Sequence, residues 1–98
     1  MLTNEQLRLI ALEVARTALA PHRVENALVD DTVDAFGNDA LGVMLVIPSE
    51  AVSRLDGDTL IQFLIQLRER FEREGEQRRP IVEYATPEDL TADADPES

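Results

Sequence analysis

The segment ALGVMLVI, residues 40–47, constrains the fold more than any other part of the chain, and it ends at Pro48. Its last five residues are all large and apolar, so both faces of an extended chain would be apolar there. A strand with one face in water instead alternates apolar and polar residues. The run is far shorter than the ~20 residues needed to span a bilayer. It therefore predicts a β-strand with two faces that other parts of the protein must cover.

The preceding segment, residues 24–35, has the β-branched residues and the alternating polarity of a second strand. Between the two strands, residues 36–39 include a glycine and an asparagine, which tolerate the left-handed backbone of a tight turn. The alternative is a calcium loop, because residues 30–39 (DDTVDAFGND) contain four aspartates. With the glycine at the sixth position of such a loop, Phe36 and Val43 would fall on ligand positions, and neither can coordinate a cation. We therefore predict a β-hairpin and no metal site.

Two helices are predicted on either side of this hairpin. Thr3 and Gln6 have the spacing of a capping box, and helical periodicity continues to the next proline, which predicts a helix over residues 4–19. Asp58 is the predicted N-cap of a second helix over residues 59–74, and a glycine follows its end.

A third strand is predicted over residues 78–85, RRPIVEYA, followed by a short helical turn at TPEDL. A right-handed crossover through the second helix makes this strand parallel to the second strand. We expect it to lie beside the first strand. The fold class is then α+β with the element order α-β-β-α-β, in which a three-stranded, mostly antiparallel sheet of order 2-1-3 packs with two helices. Residues 1–90 form the single domain, and residues 91–98 are predicted to be a disordered acidic tail.

The helices and the central apolar strand carry more apolar surface than one side of a sheet can bury. The apolar residues of the second helix cover roughly 200°, which is wider than the ~100° stripe of a helix that packs on one core. Either the helices pack on opposite faces or another protein covers the excess, and we favour a second copy of the chain. The predicted interaction residues are Met44, Val46, Ile61, Phe63 and Ile65. Arg78 and Arg79 are further candidates, as anchors for an acidic partner or the acidic tail, although a solvated helix end also explains the charged run around them.

The net charge of −11 is unevenly distributed along the chain. Residues 24–58 contain eight acids and one arginine, a sum of −7, and residues 83–98 contain six acids and no base, a sum of −6. The two helical segments, residues 1–23 and 59–82, each sum to +1. Nucleic acid binding needs a basic face, so neither DNA nor RNA is an expected partner. The first alternative function is an acidic inhibitor, antitoxin-like or a nucleic-acid mimic, that binds a basic enzyme.

The expected compartment is the cytoplasm. The chain has no cysteine, which fits a reducing environment, and its first residues lack the basic start of a secretory signal. We expect no membrane partner. The tracts GDTLIQFLIQL, residues 57–67, and RPIVEYATPEDL, residues 79–90, resemble small bacterial proteins of unknown function without identifying a family.

Candidates for catalytic residues are few. His22 is the only histidine, and Glu83 and Tyr84 alternate along the third strand. The sequence contains no glycine-rich phosphate loop, no GxSxG and no HExxH. We therefore expect no enzyme activity and no cofactor, and we predict a non-catalytic protein-interaction or regulatory module that forms a homodimer. A small-ligand binder or enzyme that uses His22, Glu83 and Tyr84 is the second alternative.

Overall fold

The computed structural model describes the backbone of residues 2–94 and the side chains of residues 2–90. The three strands form one sheet, and the helices pack against it, so the predicted α+β class is confirmed. The elements in chain order are α1 (Asn4–Ala18), β1 (Asn26–Val33), β2 (Asp39–Val46), α2 (Ser49–Val52), α3 (Gly57–Arg73), β3 (Arg79–Ala85) and α4 (Pro87–Ala94).

The two long helices begin at side-chain caps. Thr3 Oγ1 accepts the N–H of Gln6 at 3.1 Å, and the Gln6 side chain accepts the N–H of Thr3 at 2.8 Å, which confirms the predicted capping box. The N-cap of α3 was predicted at Asp58 but is Asp56, whose carboxylate accepts the N–H of Thr59 at 2.7 Å. Both aspartates are suitable N-cap residues by type. Asp56 has the extended backbone that a cap requires, whereas Asp58 lies in the first turn, where its charge favours the helix dipole.

The hairpin between β1 and β2 is antiparallel and closes with the pair Val33↔Asp39. The carboxylate of Asp34 accepts the N–H of Phe36 at 2.8 Å and the N–H of Asn38 at 3.0 Å. Gly37 takes a positive φ of 83° between them. The aspartate nearest the turn therefore holds the turn together, and the predicted β-hairpin is confirmed.

The predicted strand order 2-1-3 is wrong, because β2 lies at the centre and the order is β1-β2-β3. β1 pairs with β2 in antiparallel orientation, and β3 pairs with the opposite edge of β2 in parallel orientation, so the sheet is mixed and not mostly antiparallel as predicted. Two physical reasons favour this arrangement. The crossover through α3 returns the chain directly beside β2. The central position also buries the strand that is apolar on both faces and leaves the aspartates of β1 at an edge in contact with water.

Both long helices cover the same face of the sheet. Odd-numbered residues of β1 and β2 share one face, since side chains alternate along a strand. One core cluster contains such residues together with residues of both helices, among them Leu7, Ala11 and Val14 of α1, Ala27 and Val29 of β1, Leu41, Val43 and Leu45 of β2, and Phe63, Leu67 and Phe71 of α3. The other face, which we call the open face, is not covered by α1 or α3.

The chain leaves β3 through a second capping box, which starts α4. Thr86 Oγ1 accepts the N–H of Asp89 and the Asp89 carboxylate accepts the N–H of Thr86, both at 3.1 Å. The Ser49 hydroxyl of α2 donates to Glu88 of α4 at 3.1 Å. α4 ends at Ala94, within the predicted tail of residues 91–98, and residues 95–98 lie outside the described residues. The disorder of the tail remains a prediction.

Candidate interaction surfaces

The outer edge of β3 presents backbone groups that do not face β2. Ile47 donates its N–H to the carbonyl of Ala85 at 2.9 Å, so Ala85 directs its backbone groups toward β2. Because these directions alternate along a strand, Val82 and Tyr84 direct their N–H and C=O groups away from β2. Pro80 shares this outward direction and has no N–H to leave unpaired. β3 is therefore an edge strand with outward donors at two positions.

Helix α3 has a second apolar stripe that the core does not use. Phe63, Leu67 and Phe71 are buried in the core. Ile61 and Ile65 are exposed, with 56% of the surface of Ile61 accessible, and Leu64 is exposed beside them. Positions 61, 64 and 65 are neighbours on a helix surface. This second stripe accounts for the wide apolar arc seen in the sequence.

A groove of about 400 Å³ lies between this stripe and the edge of β3. It is lined by Leu60, Ile61 and Leu64 of α3 and by Pro80, Ile81, Val82 and Tyr84 of β3. Among the side chains that the structure describes, none that lines it is charged. Burial raises the pKa of the Tyr84 phenol, so the hydroxyl stays protonated at neutral pH. We call the groove, the stripe formed by Ile61, Leu64 and Ile65, and the free edge of β3 together the α3–β3 surface.

The open face carries a second groove, of about 380 Å³. In register across the strands, one row consists of Leu28, Met44 and Glu83, and the next row consists of Asp30, Gly42 and Ile81. All six residues line this open-face groove. Its floor therefore consists of apolar side chains and the backbone of Gly42. The carboxylate of Asp30 lies on the β1 side and that of Glu83 on the β3 side.

The structure brings some of the predicted interaction residues together and separates others. Ile61 and Ile65 lie on the α3–β3 surface, and Met44 lies on the open face, partly buried. Phe63 is 0% exposed and Val46 is also buried, so both belong to the interior of the chain itself.

Several residues of the α3–β3 surface were not candidates from the sequence, namely Leu60, Leu64, Pro80, Ile81 and Val82. Tyr84 was singled out only as a catalytic candidate. The helical spacing from Ile61 could have identified Leu64. The roles of Val82 and Tyr84 depend on which edge of β3 is free, and that edge follows from the strand order.

Arg78 holds the structure together internally. Its guanidinium contacts the Glu76 carboxylate at 3.0 Å through Nε and the Asp31 carboxylate at 2.9 Å through Nη1. Glu76 is only 8% exposed and also accepts the backbone N–H of Arg78 at 2.9 Å. The hydrogen bonds from Arg78 hold the pKa of Glu76 below its usual range, and Glu76 and Asp31 raise the pKa of Arg78. Arg79, by contrast, is exposed.

The three catalytic candidates lie on different surfaces. Glu83 lines the open-face groove, and Tyr84 lines the groove beside α3 on the opposite side of the sheet. His22 lies in the connection between α1 and β1 and lines neither groove. In the part of the chain that the structure describes, no three histidine, aspartate or glutamate side chains are grouped so that they could hold a metal ion.

Comparison with protein-family models, with curated proteins and with solved structures finds no match to this chain. Among the described residues, no helix combines the length and the apolar composition needed to cross a membrane.

Proposed function

We propose that the chain is a non-catalytic protein-interaction module of the bacterial cytoplasm that forms a homodimer through its α3–β3 surface. The observation that carries the proposal is the position of the exposed stripe of α3 directly beside the free edge of β3, with an uncharged groove between them. A free edge is a template for pairing with another strand, and an exposed apolar patch marks a contact surface.

The free edge of β3 is complementary to itself. In an antiparallel pair of β3 strands with Val82 on the two-fold axis, each Val82 exchanges both backbone hydrogen bonds with Val82 of the second copy. Each Tyr84 N–H then donates to the Pro80 carbonyl of the other copy. Every outward N–H of the strand then finds an acceptor. Because Pro80 has no N–H, the outward Tyr84 carbonyl receives no backbone donor from it. A register that instead places Glu83 opposite Glu83 sets like charges side by side, which is unfavourable.

The distribution of charge favours a second copy as the occupant. Residues 57–85, which supply α3 and β3, contain five arginines and six acidic residues, a sum of only −1. The rest of the chain is strongly negative. Two copies that meet through the uncharged groove therefore avoid the repulsion that contact through the acidic surfaces would cause. The same contact removes Ile61, Leu64 and Ile65 of both copies from water, and full burial of such a side chain contributes roughly 1.5–3 kcal/mol.

Light scattering after size exclusion tests the proposal. We expect the wild-type chain to show twice the chain mass of 10.9 kDa at micromolar concentration. Ile61→Glu places a carboxylate in the apolar contact and shifts the mass toward a single chain. The matched control is Leu9→Glu on α1, because Leu9 is 52% exposed and lies outside the α3–β3 surface, so its mass stays that of the wild type. A wild-type mass of one chain would refute the homodimer.

The acidic-inhibitor alternative depends on the exposed carboxylates of the hairpin, including Asp30 and Asp31. A basic nuclease is the appropriate probe for this alternative. Inhibition that weakens steeply as salt rises would favour it, because exposed charges are screened beyond a Debye length of about 8 Å at physiological ionic strength. The separation of His22, Glu83 and Tyr84 onto different surfaces supports the non-catalytic proposal over the ligand-binding or enzymatic one.

A further inference from the structure

Gly42 lies in the middle of the central strand, and its surroundings do not require a glycine. It is not among the residues with positive φ. A Cβ added there would contact Thr32 Cγ2 and the Asp30 carbonyl at 3.7 Å, which is ordinary van der Waals distance. A glycine inside a strand weakens that strand and often marks a site where another chain approaches closely. The fold would tolerate a side chain here, and its absence deepens the floor of the open-face groove.

The side chains around Gly42 define which chemistry the groove can accept. Met44 and Ile81 supply partly exposed apolar surface on two adjacent strands. Asp30 on β1 and Glu83 on β3 are exposed and stand on opposite sides of that surface. An occupant must therefore be apolar where it meets the floor and positively charged along both flanks.

This charge pattern excludes several occupants. A second copy of the open face would place Asp30 and Glu83 against the same carboxylates, and residues 95–98 of this chain carry two acids and no base. Nucleic acids and anionic lipid surfaces are negative as well. The backbone groups of β2 are already paired on both sides, so an added strand finds no free edge at the floor of the groove. A helix, by contrast, packs on the face of a sheet with its side chains alone.

We propose that the open-face groove binds an amphipathic helix of another protein, with apolar residues resting on Gly42, Met44 and Ile81 and arginines or lysines paired with Asp30 and Glu83. The groove lies on the side of the sheet opposite α1 and α3, so the proposal does not depend on the homodimer. In a dimer paired through β3, the two grooves face the same direction.

The test uses a synthetic amphipathic peptide of about five helical turns, with leucines along one side and arginines flanking them. A matched peptide has glutamate in place of every arginine. Titration of the full-length ¹⁵N-labelled protein is expected to shift the amide signals of Gly42, Met44 and Glu83, which line only the open-face groove of the two, with the arginine peptide and not with the glutamate peptide. Absence of binding, or shifts confined to the α3–β3 surface, would overturn the proposal.

Gly42→Leu separates binding from stability. The leucine fills the groove while its Cβ makes only ordinary contacts, so we expect an unchanged or higher melting temperature and at least about tenfold weaker peptide binding, which corresponds to 1.4 kcal/mol. Its mass by light scattering should equal that of the wild type, so the groove and the homodimer are read out independently. Unchanged affinity in Gly42→Leu would refute the proposed site.

A double variant that removes both charges tests the role of the carboxylates at the two sides of the open-face groove. Asp30→Asn together with Glu83→Gln should weaken peptide binding and flatten its salt dependence. Glu50→Gln removes one charge on the exposed surface of α2 and should leave affinity at the wild-type value. An equal loss in Glu50→Gln would mean that net charge, and not this groove, controls binding.

Discussion

Arg78 joins three parts of the chain through one guanidinium. It lies just before β3, its partner Glu76 lies in the connection from α3, and its other partner Asp31 lies on β1, the strand at the far edge of the sheet. Because Glu76 is nearly buried, its carboxylate depends on Arg78 for the hydrogen bonds that water would otherwise provide. The arginine that the sequence suggested as a partner anchor therefore has internal partners.

We predict that Arg78→Ala and Arg79→Ala differ sharply although the two arginines are adjacent. Arg78→Ala leaves the Glu76 carboxylate buried without its charged partner and should lower the free energy of unfolding by about 1–3 kcal/mol. Arg79 is exposed, so Arg79→Ala should change it by less than about 0.5 kcal/mol. Urea unfolding at neutral pH measures both values. Equal values for the two variants would contradict the assigned role of Arg78.

The same ion pair predicts a dependence on pH. Arg78 lowers the pKa of Glu76 in the folded state, so the stabilisation is fully present above the ordinary glutamate pKa of about 4.3. It is lost as the pH falls from the ordinary pKa through the lowered pKa of the folded state. In that interval the unfolded chain binds more protons than the folded chain, so protonation favours unfolding. The difference in unfolding free energy between wild type and Arg78→Ala should therefore shrink between neutral pH and about pH 3. A constant difference would show that Arg78 acts through packing.

The hairpin shows how one short element is specified locally. Gly37 has a φ of 83° and Gly57, at the start of α3, has no positive φ, while a Cβ at either position would meet nothing within 4 Å. The two positions therefore differ in backbone conformation and not in available space. Alanine substituted at each position in turn therefore separates the effect of backbone conformation from the effect of steric space.

We expect Gly37→Ala to lower the free energy of unfolding by about 1–2 kcal/mol, because the left-handed conformation is unfavourable for a residue with a Cβ. Gly57→Ala should leave it unchanged or raise it by up to about 1 kcal/mol, since alanine favours the helix. Thermal unfolding of both variants provides the comparison. Destabilisation by Gly57→Ala of the same size as by Gly37→Ala would contradict the backbone argument.

The elements that could be predicted from the sequence are those with local causes. The capping box at Thr3 and the turn around Gly37 depend on residues a few positions apart, and both are present in the structure. The strand order depends on which strand is the most apolar and is therefore buried at the centre of the sheet. The residues of β3 alone do not show which strand β3 pairs with. The N-cap of α3 was misassigned by two residues because Asp56 and Asp58 are both acceptable caps by residue type.

The candidate surfaces could be predicted only in part for the same reason. Helical spacing is sufficient to place Ile61 and Ile65 on an exposed stripe. The groove beside them requires knowing that β3 is an edge strand, and the pair formed by Arg78 and Asp31 joins positions far apart in sequence. The open-face groove required knowing that both helices cover the same face, which the sequence left undecided.

For the whole molecule, one arrangement accounts for both unusual features of the α3–β3 surface. In the homodimer that we propose, pairing of β3 with its copy would extend the three-stranded sheet across two chains and bring the exposed stripes of the two α3 helices together. The free edge and the apolar stripe are then covered by the same contact. Because β1 and β3 are at opposite edges of the sheet, the acidic hairpins of the proposed dimer would lie at its two outer edges, with their charges far apart.

The most direct test of this arrangement is a disulfide across the two-fold axis. The chain has no cysteine, so Val82→Cys introduces a single thiol, and a directly opposed hydrogen-bonded pair separates the Cα atoms by about 5.5 Å, within the range that a disulfide spans. We predict that mild oxidation at micromolar concentration converts Val82→Cys to a covalent dimer on a non-reducing gel. Leu9→Cys, exposed on α1, should remain a single chain under the same conditions. Cross-linking of folded Val82→Cys no faster than that of Leu9→Cys would contradict the pairing of β3 with its copy.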